Sequence, residues 1–268
     1  MNNLVVIKGG GDLASGTAHR LARCGFTLVM LEIAQPTVIR RTVSYAEAIF
    51  KGKCSVEGVT AELAHGVDEV QAIVNAGNIA VAVDPAWSLV DKLKPAAVID
   101  AVLAKKNLGT GIGEAPVVIG LGPGFTAGVD VHAVVETMRG HNLGRVILKG
   151  TAEPNTGIPG IIGGYGKERV LRAPAEGIFH GEKEIGDQVV KGELVAKIDD
   201  VPLVATIDGV LRGLLKSGLK VHEGMKVGDI DPRATRENCF TISDKSRAIA
   251  GGVLEALLYL GRDRWGVN

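Results

Sequence analysis

An α/β domain followed by an all-β module is the fold class this 268-residue sequence predicts, and three observations predict it. An apolar run, Leu4 to Lys8, ends in Gly9, Gly10 and Gly11, then gives way to a helical pattern and a second apolar run, Phe26 to Ile33. That order reads as strand, glycine turn, helix, strand. Further short apolar runs alternate with a helical segment over the first half of the chain, as they do where helices cover a parallel sheet. Near the C-terminus Ala173, Gly177, Gly186, Val189, Gly192, Val195 and Ile198 recur 32 positions later as Ala205, Gly209, Gly218, Val221, Gly224, Val227 and Ile230. Glycines at turn points with Val or Ile between them describe two copies of one β unit that can pack face to face.

In order along the chain, residues 1–150 are expected to form a Rossmann-like parallel-sheet domain. Its first helix carries Ala14, Ala18, Leu21 and Cys24 on one face and stops at Gly25. Ile79 to Val83, Ala96 to Ile99 and Pro116 to Leu121 read as buried strands, and Val67 to Asn75 as a helix. Residues 151–170 read as a Gly/Pro-rich linker or lid: five glycines and two prolines fall between Thr151 and Gly166, yet Ile158, Ile161 and Ile162 are apolar. Residues 171–234 carry the repeat, the pattern of a C-terminal all-β barrel-sandwich hybrid, the biotinyl/lipoyl-like module. The joint between its halves reads Asp199, Asp200, Val201, Pro202, Leu203, without the lysine of a swinging-arm carrier, which points to docking or ligand holding. Residues 235–268 read as a terminal helical segment. Ser243 is the N-cap, and Ile249, Val253, Leu257 and Leu260 form one face. Gly251 and Gly252 cost that helix about 1 kcal/mol each relative to alanine, which suits close packing against a neighbour.

Thirty basic and thirty acidic residues leave a formal net charge of zero, so no electrostatic pull toward nucleic acid or an anionic membrane is expected. No apolar stretch approaches a membrane span and no signal peptide is visible, which predicts a cytoplasmic protein. Three widely spaced cysteines give neither a disulfide framework nor a zinc pattern. A homodimer is the base-rate expectation.

Gly9, Gly10, Gly11, Asp12, Leu13 and Ala14 fit G-x-G-x-x-A between strand and helix, the setting in which backbone N–H groups meet a pyrophosphate. Glu32, at the end of the second strand, stands where an acidic residue binds ribose hydroxyls. The plainer reading is a tight turn alone. A second glycine cluster, with Gly122 and Gly124, follows a later strand and is a candidate for the other wall of a cleft. Arg40 and Arg41 could pair with a phosphate or carboxylate, or be a solvated pair. Asp100, Lys105, Lys106 and Asn107 follow one strand end, and Asp130, His132, Glu136, Arg139, His141 and Asn142 another. No third ligand is spaced beside Asp130 and His132 for a closed metal site. Cys24 reads as core, Cys54, which closes Lys51-Gly52-Lys53-Cys54, as an exposed thiol in an electropositive setting, and Cys239 as a weaker reactive candidate.

The triple-glycine turn, Arg40-Arg41-Thr42-Val43-Ser44, Gly120 to Asp130 and Arg139-Gly140-His141-Asn142 together resemble the YqeB family of selenium-dependent molybdenum hydroxylase maturation proteins. So do Pro154-Asn155-Thr156-Gly157, Leu171-Arg172-Ala173-Pro174, Gly228-Asp229-Ile230-Asp231-Pro232-Arg233 and Ile242-Ser243-Asp244-Lys245. The resemblance implies an accessory factor whose partner is a molybdenum hydroxylase of the purine or xanthine dehydrogenase type. A version of that role that suits the chain holds a nucleotide-bearing cofactor, molybdopterin cytosine dinucleotide, at the N-terminal glycines, while an NAD-type dinucleotide is the candidate that the glycine turn and Glu32 offer by themselves. The resemblance transfers no catalytic residue. An NAD-dependent oxidoreductase and a non-catalytic scaffold or docking protein are the alternatives, because a fold alone does not decide function.

Overall fold

The computed structural model of the protein describes residues 3–157 and 160–265, so Ile158 of the linker lies outside the described residues. The chain forms two compact units, one of residues 1–36, 45–156 and 242–268, the other of residues 37–44 and 157–241.

The first unit contains β1 (Leu4–Lys8), α1 (Asp12–Arg23), β2 (Thr27–Glu32), α2 (Glu47–Lys51), β3 (Lys53–Val56), β4 (Val59–Ala64), α3 (Val67–Asn75) and β5 (Ile79–Val83). It continues with α4 (Ser88–Leu93), β6 (Ala97–Asp100), β7 (Val117–Leu121), β8 (Thr126–Ala127), β9 (Ala133–Val135), β10 (Val146–Ile147), β11 (Gly150–Thr151), α5 (Asp244–Leu260) and α6 (Arg262–Trp265). One nine-stranded sheet runs β10-β9-β7-β6-β1-β2-β5-β4-β3, and β8 pairs with β11 apart from it. The strands from β9 to β4 are parallel to their neighbours, whereas β10 and β3 close the two edges antiparallel.

Val5, Val6 and Ile7 of β1, Val29, Met30 and Leu31 of β2 and Val98 and Ile99 of β6 are all buried, without alternation, because both faces of these central strands are covered. On one face α5 packs against α1 and against the segment at Gly144, in both cases at small residues. A Cβ on Gly16 would lie 2.0 Å from Ser246 Oγ, and one on Gly252 would lie 2.0 Å from the Gly144 carbonyl oxygen. The close packing expected of the helix glycines is therefore found at Gly252. Ser243 caps α5 by accepting from the Ser246 N–H. Cys24, expected in the core, lies just past the end of α1 and is exposed. Among the described residues no helix is long and apolar enough to cross a membrane.

The second unit holds β12 (Val170–Arg172), β13 (Gly177–Gly181), β14 (Gln188–Val189), β15 (Leu194–Ile198), β16 (Val201–Val204), β17 (Gly209–Leu214), β18 (Lys220–Val221) and β19 (Lys226–Asp231). They form two antiparallel sheets, β12-β19-β17-β14 and β16-β15-β13-β18. Advancing by 32 residues carries β12 to β15 onto β16 to β19, and the two sheets then have the same order. The repeated glycines hold matching left-handed turns, as at Gly186 and Gly218 with φ of 101° and 90°.

These sheets correct the predicted fold class. The large sheet is mixed rather than a wholly parallel Rossmann-like one. The repeat region forms two four-stranded antiparallel sheets, with no closed barrel among the described residues, in place of a barrel-sandwich hybrid of the biotinyl/lipoyl-like kind. Turn spacing specifies hairpins, and says nothing of how the sheets they build are joined.

Candidate functional site

In the first unit the chain leaves β1 through α1 to β2 on one side, while β6 and β7 lie on the other. A crevice at the carboxyl end of an open sheet, where the strand order reverses, is where ligands of such sheets bind. Gly9, Gly10 and Gly11 stand there. Gly9 has φ of 93° and passes within 3.1 Å (measured to a would-be Cβ) of the Ala101 carbonyl oxygen, so no side chain fits. Gly11 is the N-cap of α1, followed by Asp12, Leu13 and Ala14 in the first turn. Ser15 Oγ donates to the Gly10 carbonyl (3.0 Å) and accepts from the Tyr45 N–H (2.8 Å), and the Ala46 N–H also donates to Gly10 (3.1 Å). One side of the turn is thereby built into the protein.

Glu32 lies at the end of β2, but both carboxylate oxygens face backbone donors: Gly10 N–H at 2.8 Å and Ile33 N–H at 2.7 Å. Burial raises its pKa, opposed by those two bonds. The acidic residue that spacing offers to a ribose thus also clamps the glycine turn. Gly122 and Gly124 do reach the same end of the sheet. A Cβ on Gly122 would lie 2.5 Å from Thr137 Oγ1, and one on Gly124 would lie 2.8 Å from the Lys106 backbone. Both have positive φ, so close packing of loops on loops accounts for them.

Of the side chains at this end of the sheet, Asp100 and Asn107 were singled out by sequence, whereas Lys8, Thr110 and Glu114 were not. Lys8, the last residue of β1, is wholly buried, and Asp100, its register partner on β6, is nearly so. Lys8 Nζ donates to Thr110 Oγ1 (2.7 Å) and pairs with the Glu114 carboxylate (2.9 Å to Oε1, 2.7 Å to Oε2). Thr110 in turn donates to Asp100 Oδ2 (2.7 Å), and Lys8 sits 5.5 Å from the centre of the Trp87 ring. The signal available was a lysine ending an apolar strand at a glycine turn, together with the run Gly109-Thr110-Gly111-Ile112-Gly113-Glu114. Asn107 organises that run by accepting from the N–H groups of Gly109 and Thr110. A buried ammonium beside a glycine-rich loop is a setting that can hold an anionic group.

Other candidates are placed elsewhere or used internally. Arg40 and Arg41 belong to the second unit, where Arg40 donates to the carbonyls of Asn238 and Thr241 and Arg41 to that of Leu214. Val118 N–H donates to His132 Nδ1, and burial lowers the pKa of that imidazole. Glu136 accepts from the N–H groups of Thr137, Met138 and Glu153, Asp130 from that of Thr126, and Arg139 forks onto Asp244. Among the described residues no three His, Cys, Asp or Glu side chains are grouped to hold a metal ion. Cys54 is half-buried, its Sγ facing the Tyr45 carbonyl at 3.7 Å, and burial pushes its pKa up to about 11. This corrects the expected thiolate, since Lys53 pairs with Glu62 and desolvation governs the sulfur. Cys239 is buried, and burial raises its pKa too. A separate cavity of about 360 Å³ opens at the carboxyl ends of β4 and β5, with His65, Asp84, Ser88 and Lys92 on its wall.

No family model matches the chain. Over 259 residues, 97% of its length, it is 54% identical to YqeB of Escherichia coli (strain K12), and it spans 48% of that protein, about half the length of the curated relative it matches. Among solved structures it resembles an aspartoacylase family protein from Mesorhizobium loti at 11% identity, covering 76% of this chain and 55% of that one with a TM-score of 0.26. It also resembles a succinylglutamate desuccinylase from Silicibacter sp. at 12% identity, covering 85% and 84% with a TM-score of 0.25. Superpositions at such scores carry no argument about chemistry.

Proposed function

We propose, from the premise that the likeness to YqeB supports membership of that family, that this chain is an accessory factor holding a nucleotide-bearing ligand at the carboxyl end of its large sheet. The observation that supports this is the Gly9–Gly11 turn opening α1 beside buried Lys8 at the strand-order reversal. The N–H groups of the first turn of α1 and the positive end of the helix favour a phosphate there. In this reading the factor serves maturation of a selenium-dependent molybdenum hydroxylase, and the ligand is molybdopterin cytosine dinucleotide or an NAD-type dinucleotide. Selenium, molybdenum and the hydroxylase partner enter through the family resemblance alone.

The test is calorimetric titration with CDP and with NAD, on the wild type and on Gly11→Asp. Gly11 sits at φ −66° and ψ 178°, which aspartate adopts readily as an N-cap, so the backbone accommodates the variant, which places negative charge against an incoming phosphate; a thermal melt of the variant checks that it folds. Saturable binding weakened tenfold or more in the variant is expected. No saturable binding, or equal binding in both proteins, contradicts the reading. Oxidation of added NADH coupled to turnover of an acceptor would instead favour the oxidoreductase.

A further inference from the structure

We propose that Lys8 and the loop from Gly109 to Glu114 form the anion-holding part of this site, and that the Glu114 carboxylate occupies the place a ligand's diphosphate takes. The inference rests on the nucleotide reading for its ligand, and on the following geometry for its location. Lys8 has no exposed surface, whereas the Glu114 side chain paired with it is 23% exposed. The carboxylate accepts from the Lys8 ammonium and, at 3.1 Å, from the Gly111 N–H. An ammonium and a loop N–H converging on one oxygen are the donors a phosphate oxygen also uses.

The glycines of the loop point the same way. A Cβ on Gly109, Gly111 or Gly113 would meet nothing within 4 Å, and only Gly109 of the three has positive φ. At Gly111 and Gly113 neither packing nor backbone conformation calls for glycine. Bare backbone facing open space is what the close approach of a ligand requires. Leading into this loop, Leu103 and Lys105 have φ of 61° and 64°, a conformation that side-chain-bearing residues seldom adopt. The loop is anchored by the Lys8–Glu114 pair, by the bond from Thr110 to Asp100 and by the bonds of Asn107 to Gly109 and Thr110. When a diphosphate displaces Glu114, Lys8 keeps its bond to Thr110, which Asp100 orients from the neighbouring strand. The carboxylate swings to solvent, and no covalent bond changes.

Titration with inorganic pyrophosphate tests this without any nucleotide. Glu114→Gln keeps the size of the side chain and an acceptor for Lys8, but removes the competing charge. It is expected to bind pyrophosphate at least tenfold more tightly than the wild type. Should Glu114→Gln melt early, Glu114→Asp, whose carboxylate is withdrawn from Lys8 by one methylene, is expected to show a gain in the same direction. Equal or weaker pyrophosphate binding in the variant, or none in either protein, overturns the inference. If Gly11→Asp abolishes CDP or NAD binding while Glu114→Gln leaves pyrophosphate affinity unchanged, this inference alone fails. If Glu114→Gln gains pyrophosphate affinity but no nucleotide binds, the anion site stands and the nucleotide reading fails.

Discussion

Lys8 shows how much a single buried charge can organise. Its ammonium is satisfied only because Thr110, Glu114 and the Trp87 ring converge on it from two different loops. Lys8→Met removes the charge and leaves Glu114 and Thr110 without that donor. It should destabilise the first unit by about 1–3 kcal/mol, read from the urea midpoint, because Glu114 can partly rehydrate. A loss well under 1 kcal/mol would mean the network contributes little. Cys54 is a second residue-scale case. Its folded pKa of about 11 lies above the ordinary 9.0, so the protonated thiol stabilises the fold fully below pH 9, and that contribution is lost as pH rises toward 11. Alkylation by iodoacetamide at pH 8 should label exposed Cys24 well before Cys54, with Cys54 catching up only above about pH 10. Equal rates at pH 8 would contradict the burial of the sulfur. The glycine turn was legible from sequence because its residues are contiguous. Lys8, Thr110 and Glu114 were not, since more than a hundred positions separate the lysine from its partners.

At the scale of elements, the contacts of α5 with α1 and with the segment at Gly144 depend on small residues. Gly16→Ala and Gly252→Ala each push a methyl group into a neighbour 2.0 Å away, and overpacking of this kind should cost about 1–3 kcal/mol or more. Gly251→Ala meets only the end of the Arg20 side chain, at 3.2 Å, so higher helix propensity should leave it neutral or stabilise it by up to about 1 kcal/mol. Urea unfolding of the three variants checks the contrast, and equal effects would contradict it. The turn of the β3–β4 hairpin is tied to the start of α5 through Glu57, which accepts from the Ile242 N–H and, at both carboxylate oxygens, from Arg247 Nη2. Burial raises the Glu57 pKa, but the bonds from Ile242 and Arg247 outweigh it and the net shift is downward. The stabilisation is present above the ordinary carboxylate pKa and is lost as pH falls through the lowered one. Glu57→Gln should therefore flatten the acid limb of the stability curve. The long apolar strands β1, β2, β5, β6 and β7 were legible because burial on both faces leaves an uninterrupted apolar run. The β3–β4 hairpin was not, because its turn is Glu57-Gly58, both with positive φ, where glutamate is an uncommon choice. Short β9 and β10 carried too few residues to show a period.

At the scale of the whole chain, the 32-residue repeat is visible both in sequence and in two sheets of matching strand order. The fold class drawn from it nevertheless needed correction, since hairpin spacing does not specify how strands close. The division of the chain was only partly legible too. Residues 37–44 join the second unit through bonds made by Ile39, Arg40 and Arg41, and a local reading of an arginine pair has no access to partners some two hundred positions away. The chain spans about half the length of the related YqeB protein. The central claim is that the large sheet's carboxyl end holds a nucleotide-bearing ligand. Native mass spectrometry tests it most directly, on wild type and Gly11→Asp purified from a host that makes molybdopterin dinucleotides. A retained dinucleotide mass in the wild type that is missing from Gly11→Asp is the predicted result. The bare chain mass in both, or the same retained mass in both, would contradict it.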